Sequence, residues 1–163
     1  MKSIKVEGSE KGKLIGWFEW ILRDKNGNIK SIGRTKNLVV TAGIGAITGL
    51  MLSDVGGTAF DYLAVGTDNT SPSATDTALG AEITDSGLAR AAGTGSQETD
   101  TVTNDTAKLT HTWSNITASK SIRELGVFNA SSGGTMLARA NVTVDVSAGD
   151  SLTLTHKTKL SAS

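Results

Sequence analysis

Residues Phe60 to Ile83 read F-D-Y-L-A-V-G-T-D-N-T-S-P-S-A-T-D-T-A-L-G-A-E-I, and this stretch decides how the chain folds. Phe60, Tyr62, Leu63, Ala64 and Val65 form an apolar run of strand length, as expected for a strand buried on both faces. The run stops at Gly66. Thr67 to Asp76 follow, rich in Thr, Asp, Asn and Ser around Pro72, the one proline of the chain. Short polar side chains bond to nearby backbone and proline fixes φ, so this segment is a turn. Thr75 or Asp76 then stands where it would cap a short helical turn reaching Glu82. The expected order is strand, fixed polar turn, short helix, with the rest of the chain packed around it.

Working outward, the flanking sequence is dominated by strand patterns. Leu14 to Asp24 alternates, with Phe18, Trp20 and Leu22 on one face and Trp17, Glu19, Ile21 and Arg23 on the other. Large apolar groups on both faces mean that at least one face is covered, by the core of the same chain or by a subunit interface. Lys25-Asn26-Gly27-Asn28 predicts a hairpin with a type I′ turn, returning along Ile29 to Arg34. Thr41 to Ser53 reads as a short helix with Ile44, Ile47 and Leu50 or Met51 on its apolar stripe and Thr41 as N-cap. Its three glycines each cost about 1 kcal/mol relative to alanine, and they let the helix lie close against a sheet. Further strands are expected at Leu88 to Ala92, Lys108 to Ile116, Ser121 to Phe128, Met136 to Val146 and Leu152 to Leu160. Gly93 to Asp100 reads as an exposed loop or strand end. The total is about eight to ten strands, with turns at the spacing of sandwiches and barrels. The expected fold is mainly β, an antiparallel β-sandwich or small β-barrel with one or two short helices. Residues 14–163 form its single domain, opened by the aromatic hairpin 14–34, and residues 1–13 form an N-terminal arm.

A chain of 163 residues is long enough to bury a substantial core. Sixteen basic and sixteen acidic residues give a formal net charge of zero, which argues against a nucleic-acid partner held by a basic face. With no cysteine there are no disulfides or thiolate metal sites, and neither redox compartment is indicated. Met1 to Lys5 is not followed by the apolar run of a secretory signal. The longest apolar stretch, Ala42 to Leu52, falls well short of the ~20 residues of a membrane span.

Four stretches together carry a resemblance: F-x-Y-L-A-V-G-T continuing into T-x-P-S-A-T-D-T-A-L-G-x-E-I, N-L-V-V-T-x-A-G at Asn37 to Gly43, T-N-D-T-A-K-L-T-H-T-W at Thr103 to Trp113, and E-L-G-V-F-N-A-S-S-G-G-T-M-L-A-R at Glu124 to Arg139. In this order they resemble small structural proteins of tailed bacteriophages and prophages, from Asn37 to the end of the chain. Such proteins decorate capsids or belong to tails and fibres. The resemblance implies a capsid decoration or cement protein on the outer surface of the virion, with the major capsid protein as partner and the chain itself as a homotrimer. A tail or tail-fibre component is the alternative. Multivalent contact across shell subunits would stabilise the capsid. Trp17, Phe18 and Trp20 in the hairpin, with Lys2 and Lys5 in the arm, are the candidate interface residues.

For chemistry the sequence offers little, and the expectation is a protein that is not an enzyme and takes no cofactor, metal or membrane. His111 and His156 are the only histidines. A metal site would need both of them plus a carboxylate such as Asp145 or Glu124. Asp61, Asp76, Glu82 and Asp85 are the carboxylates a hydrolytic pair would draw on. Asp68, Asn69, Asp76 and Asp85 lack the fixed spacing of a calcium loop. A carbohydrate-binding β-sandwich is the reading from a different class, with an exposed Trp113 stacking on sugar rings.

Overall fold

The computed structural model describes residues 12–52 and 55–161. Ten strands and one helix follow one another: β1 (Lys13–Arg23), β2 (Ile29–Lys36), β3 (Leu38–Val39), α1 (Thr41–Leu50), β4 (Tyr62–Gly66), β5 (Ala91–Ala92), β6 (Thr94–Glu98), β7 (Thr106–Trp113), β8 (Lys120–Phe128), β9 (Met136–Val146) and β10 (Ser151–Ser161). They make two antiparallel five-stranded sheets, ordered β2-β1-β10-β7-β6 and β3-β9-β8-β4-β5. The architecture is a sandwich, the first of the two arrangements expected.

Alternation along the strands builds the core. From the first sheet Phe18, Leu22, Leu109, Trp113, Leu152 and Leu154 point inward. They meet Leu63, Val65, Ile122, Leu125, Val127 and the row Val142, Val144, Val146. Each such side chain contributes about 1.5–3 kcal/mol on full burial. Strand β8 breaks its own period. Ile122 and Leu125 both face the core, because the register slips between Ile122 and Glu124. This bulge turns Glu124 to the far side of the second sheet, where Arg139 also points.

The hairpin is present, but its turn is of another kind. A type I′ turn needs positive φ at both central residues, and here Gly27 has φ 87° while Asn26 does not enter that region. The Asp24 carboxylate accepts from the backbone N–H of Asn26 and Asn28, at 2.8 and 3.0 Å. A bulge at Leu22/Arg23 takes up the extra residue.

Helix α1 also departs from expectation. Its N-cap is Val40, without a side-chain bond, and Thr41 is its first residue. The glycines do let it approach the sheet: a Cβ on Gly43 would stand 2.6 Å from the Leu137 carbonyl oxygen. Because the helix meets β9 through Gly43, its apolar residues are turned elsewhere. Ile47 is half-buried against the core, whereas Ile44, Leu50 and Met51 are exposed. Among the described residues no helix is long and apolar enough to cross a membrane.

Candidate functional site

The organising stretch folds as a strap over the outer face of the second sheet. After β4 the chain leaves at Gly66, loops out, and returns so that Thr67 N–H donates to Ala81 O and Ile83 N–H to Val65 O, both at 2.9 Å. Residues 77–82 form bends and an isolated bridge rather than the expected helical turn. Asp76 does cap, but its carboxylate accepts from Ser73 N–H at 2.9 Å instead of starting a helix.

Glu124 and Arg139 pin the strap down. Glu124 is wholly buried, and its carboxylate accepts from Gly80 N–H (2.9 Å) and Ala81 N–H (2.7 Å). Arg139 Nε donates to Glu124 Oε2 at 2.8 Å, Nη1 to Asp76 at 2.9 Å and Nη2 to Asp68 at 2.8 Å. Burial works against the Arg139 charge, yet Asp76, Glu124 and Asp68 together hold its pKa above the ordinary value. Asp68 is held below the usual carboxylate range by the Thr70 hydroxyl and by Arg139. Asp76 is lowered by the Ser73 N–H and by Arg139. The planar five-donor guanidinium suits one cation serving several carboxylates. Leu79 covers what remains, against Gly126 and Phe128.

A second arginine closes the neighbouring turn. Arg90 lies 3.6 Å above the Phe128 ring centroid. It donates to both Glu82 carboxylate oxygens and to the carbonyls of Ala130 and Gly133.

The carboxylates and histidines considered from sequence are placed as follows. Asp68 and Asp76 face one guanidinium, Glu82 faces Arg90, and Asp85 pairs with Lys120. Asp61 lines a cleft beside α1. His156 is buried against Phe18, with ring centroids 4.9 Å apart, and Asn37 Nδ2 donates to its Nε2 at 3.2 Å. Burial pushes its pKa down to about 3, so it is a neutral core residue. His111 instead bonds the Ala92 carbonyl through Nδ1 and packs on the edge of Trp113. Among the described residues no three His, Cys, Asp or Glu side chains gather as metal ligands. Trp113 is only 4% exposed and its indole N–H donates to Ala89 O, so it offers no ring face to a sugar, contrary to the carbohydrate reading.

The candidate interface residues separate. Phe18 is fully buried and belongs to the core, so it is withdrawn as a surface residue. Trp20 points the same way at the sheet margin, over Gly33, with its indole N–H on Ser31. Trp17 lies half-buried on the outer face of the first sheet, bonded to Glu19. On the same face Thr110 meets Thr155 and Thr112 meets Thr153 by hydroxyl contacts, Lys157 bridges Glu19 and Glu98, and Ile15, Ile21 and Ile32 add apolar surface. Lys2 and Lys5 lie outside the described residues, as does the arm up to residue 11; Lys13 already belongs to β1.

Two features went unnoticed in the sequence. One is the Glu124–Arg139 lock, although the fourth recurring stretch begins with one partner and ends with the other. The second is the exposed apolar end at α1, where spacing alone suggested burial.

What the fold and these contacts define is a two-layer β-sandwich with a tied-down strap on one outer face. The family model described as podophage GP4 fiber I protein gp80 matches residues 45–160, and the chain belongs to that family. It is thus a member of a phage virion structural protein family. The match leaves out β1, β2 and β3 and begins within α1. No curated protein matches the chain.

Proposed function

We propose that this chain is a non-enzymatic structural subunit carried on the outside of a phage particle, as a building block of a fibre. The observation that carries the reading is the family match over residues 45–160, since that family is described as a fibre protein. The geometry supports it from another side. Four of the carboxylates singled out as candidate chemistry, Asp68, Asp76, Glu82 and Glu124, are bound within the fold by Arg139 and Arg90. In this reading the molecule meets its partners through sheet face, sheet edge and helix.

The second reading is capsid decoration, as a trimer gripping the major capsid protein. It is favoured by the sequence resemblance from Asn37 onward. Gold-labelled antibody against this protein, viewed on intact particles by electron microscopy, separates the two. Label on projecting fibres is the expected result. Label spread regularly over the head would replace the fibre reading with decoration, and particles without label would overturn both.

A further inference from the structure

We propose that the outer face of the first sheet, where β1 and β2 lie side by side, binds an acidic saccharide, a sugar that carries a carboxylate or a phosphate. Both strands lie outside residues 45–160, so the family match does not describe this face.

The register sets the layout. Trp17 stands between Lys36 and Lys157, Glu19 between Arg34 and Thr155, and Ile21 between Ile32 and Thr153. Directly opposed residues of antiparallel strands share a face. Ile32, Arg34 and Lys36 of β2 therefore stand beside Ile21, Glu19 and Trp17 of β1, away from the core. Ile32 is 66% exposed, and Arg34 and Lys36 are exposed as well.

Charge is shared unevenly over this face. On the side of β10, β7 and β6 the lysines are matched: Lys108 by Glu98, Lys157 by Glu98 and Glu19, and Lys159 by Asp100 and Asp105. On the side of β1 and β2, Lys13, Arg34 and Lys36 have no ion-pair partner among the described residues. Arg23, at the hairpin end, bonds the Gly27 carbonyl. The carboxylate of Glu19 is shared by the Trp17 indole N–H and Lys157. Three cations are left uncommitted, and an anion is their complement. Arg34 and Lys36 lie two residues apart on one strand, about 7 Å along it.

The remaining groups select a sugar among anions. A depression of about 390 Å³ lies on this face, with Ile21 and Ile32 beside Glu19, Arg34, Thr153 and Thr155 in its lining. Two isoleucines take the apolar side of a sugar ring, and the polar groups around them fix its orientation. Glu19, its side chain 37% exposed, accepts from a ring hydroxyl. Thr155 is bonded to Thr110 and Thr153 to Thr112. Each hydroxyl pair uses one of its two O–H groups, so a donor remains for the ligand. The Arg34 guanidinium takes the acid group, whose two oxygens match its fork. Glu19 repels a continuous phosphate backbone such as that of a nucleic acid. A bilayer is held by apolar groups that insert into it, and a sheet face rich in threonine projects none. Trp113 takes no part, being in the core.

The test uses the full chain, labelled for amide NMR spectra. Tetragalacturonate is expected to shift the amides of Ile21, Ile32, Arg34 and Thr155 in a saturable way. Its methyl ester, the same rings without charge, should bind roughly tenfold more weakly or not at all. Affinity should fall as salt is raised. A phosphorylated mannan fragment run beside it decides which acid group the face takes, and binding of either one supports the proposal. Arg34→Glu should weaken binding by roughly tenfold or more, with the circular dichroism spectrum unchanged, because the side chain is exposed. Lys36→Glu provides a second variant should the first not fold. Lys120→Ala, on the second sheet, should leave the affinity as it is. No saturable shift with either acidic sugar, equal binding of the methyl ester, or charge-reversed variants that keep the wild-type affinity would overturn the proposal. So would tighter binding of a thymidine oligonucleotide or of phosphatidylglycerol vesicles, which would assign the face to another kind of anion. The face does not depend on where the protein sits on the virion, so a failure here leaves the fibre reading to the labelling experiment.

Discussion

Arg139 Nε and Glu124 Oε2 meet at 2.8 Å between adjacent strands, both side chains buried, on the side of the second sheet away from the core. The bulge after Ile122 brings Glu124 there, and the strap from β4 closes over it. Removing one member of such a pair leaves the other charged and unpartnered. Arg139→Ala is therefore expected to destabilise the fold by about 3–5 kcal/mol. Arg139→Lys should recover only part of this, because a point charge cannot serve Glu124, Asp68 and Asp76 together. Urea denaturation checks both. The midpoint should fall with an unchanged slope, and a loss below about 1 kcal/mol in Arg139→Ala would show that the strap is held by other means.

Acid should weaken the molecule in two stages. His156 is neutral in the fold down to about pH 3, whereas an unfolded histidine protonates near 6.5. Its folded pKa is lowered, so the unfolded state binds the extra proton in this interval. Stability is full above about 6.5 and declines as pH falls toward 3. Asp68 and Asp76 have lowered folded pKa values, so their contribution is present above about 3.9 and is lost as pH falls through their folded values. Denaturation midpoints measured against pH should show both stages. In His156→Gln the first should disappear and the second remain.

Two glycines should respond to alanine in opposite directions. A Cβ at Gly66 would stand 2.3 Å from Glu124 Oε1, in the pin of the strap. Gly66→Ala is expected to cost about 1–3 kcal/mol or more, since neither the carboxylate nor the strand has room to move. At Gly45, in α1, a Cβ meets nothing within 4 Å. Gly45→Ala should stabilise by about 0.4–1 kcal/mol through the unfolded chain. Thermal melts of the two variants, side by side, check the signs.

Phe18 and Trp17 are neighbours in sequence on opposite faces of β1, and their truncations should differ. Phe18→Ala opens a cavity against His156 and should cost about 3–5 kcal/mol. Trp17→Ala removes one half-buried side chain from an outer face and should cost about 1 kcal/mol or less. Equal losses would mean that the outer face is covered in the free protein.

Much of this fold was legible because strand alternation and turn residues are local signals. Phe18 and Leu22, Val142 to Val146, and Leu152 and Leu154 face inward as their spacing indicates. What was not legible depends on contacts distant in sequence. The bulge that reverses Glu124 leaves no mark in the order I-R-E-L-G, and the ligands of Arg139 lie as far away as Asp68. The side of α1 that turns inward is set by Gly43 against Leu137, a backbone approach that hydrophobic spacing does not report. For the same reason Ile44 and Met51 looked like core and proved to be surface. The hairpin was visible, but its turn type hinged on a side-chain carboxylate at Asp24.

The central claim is that this protein acts as an external structural subunit of the virion. Cryo-electron microscopy of purified particles tests it most directly. The account predicts repeated copies of a two-layer sandwich, five strands to a sheet, in a projection from the particle surface. A map whose external densities contain no such sandwich, from particles in which mass spectrometry finds no peptide of this chain, would contradict it.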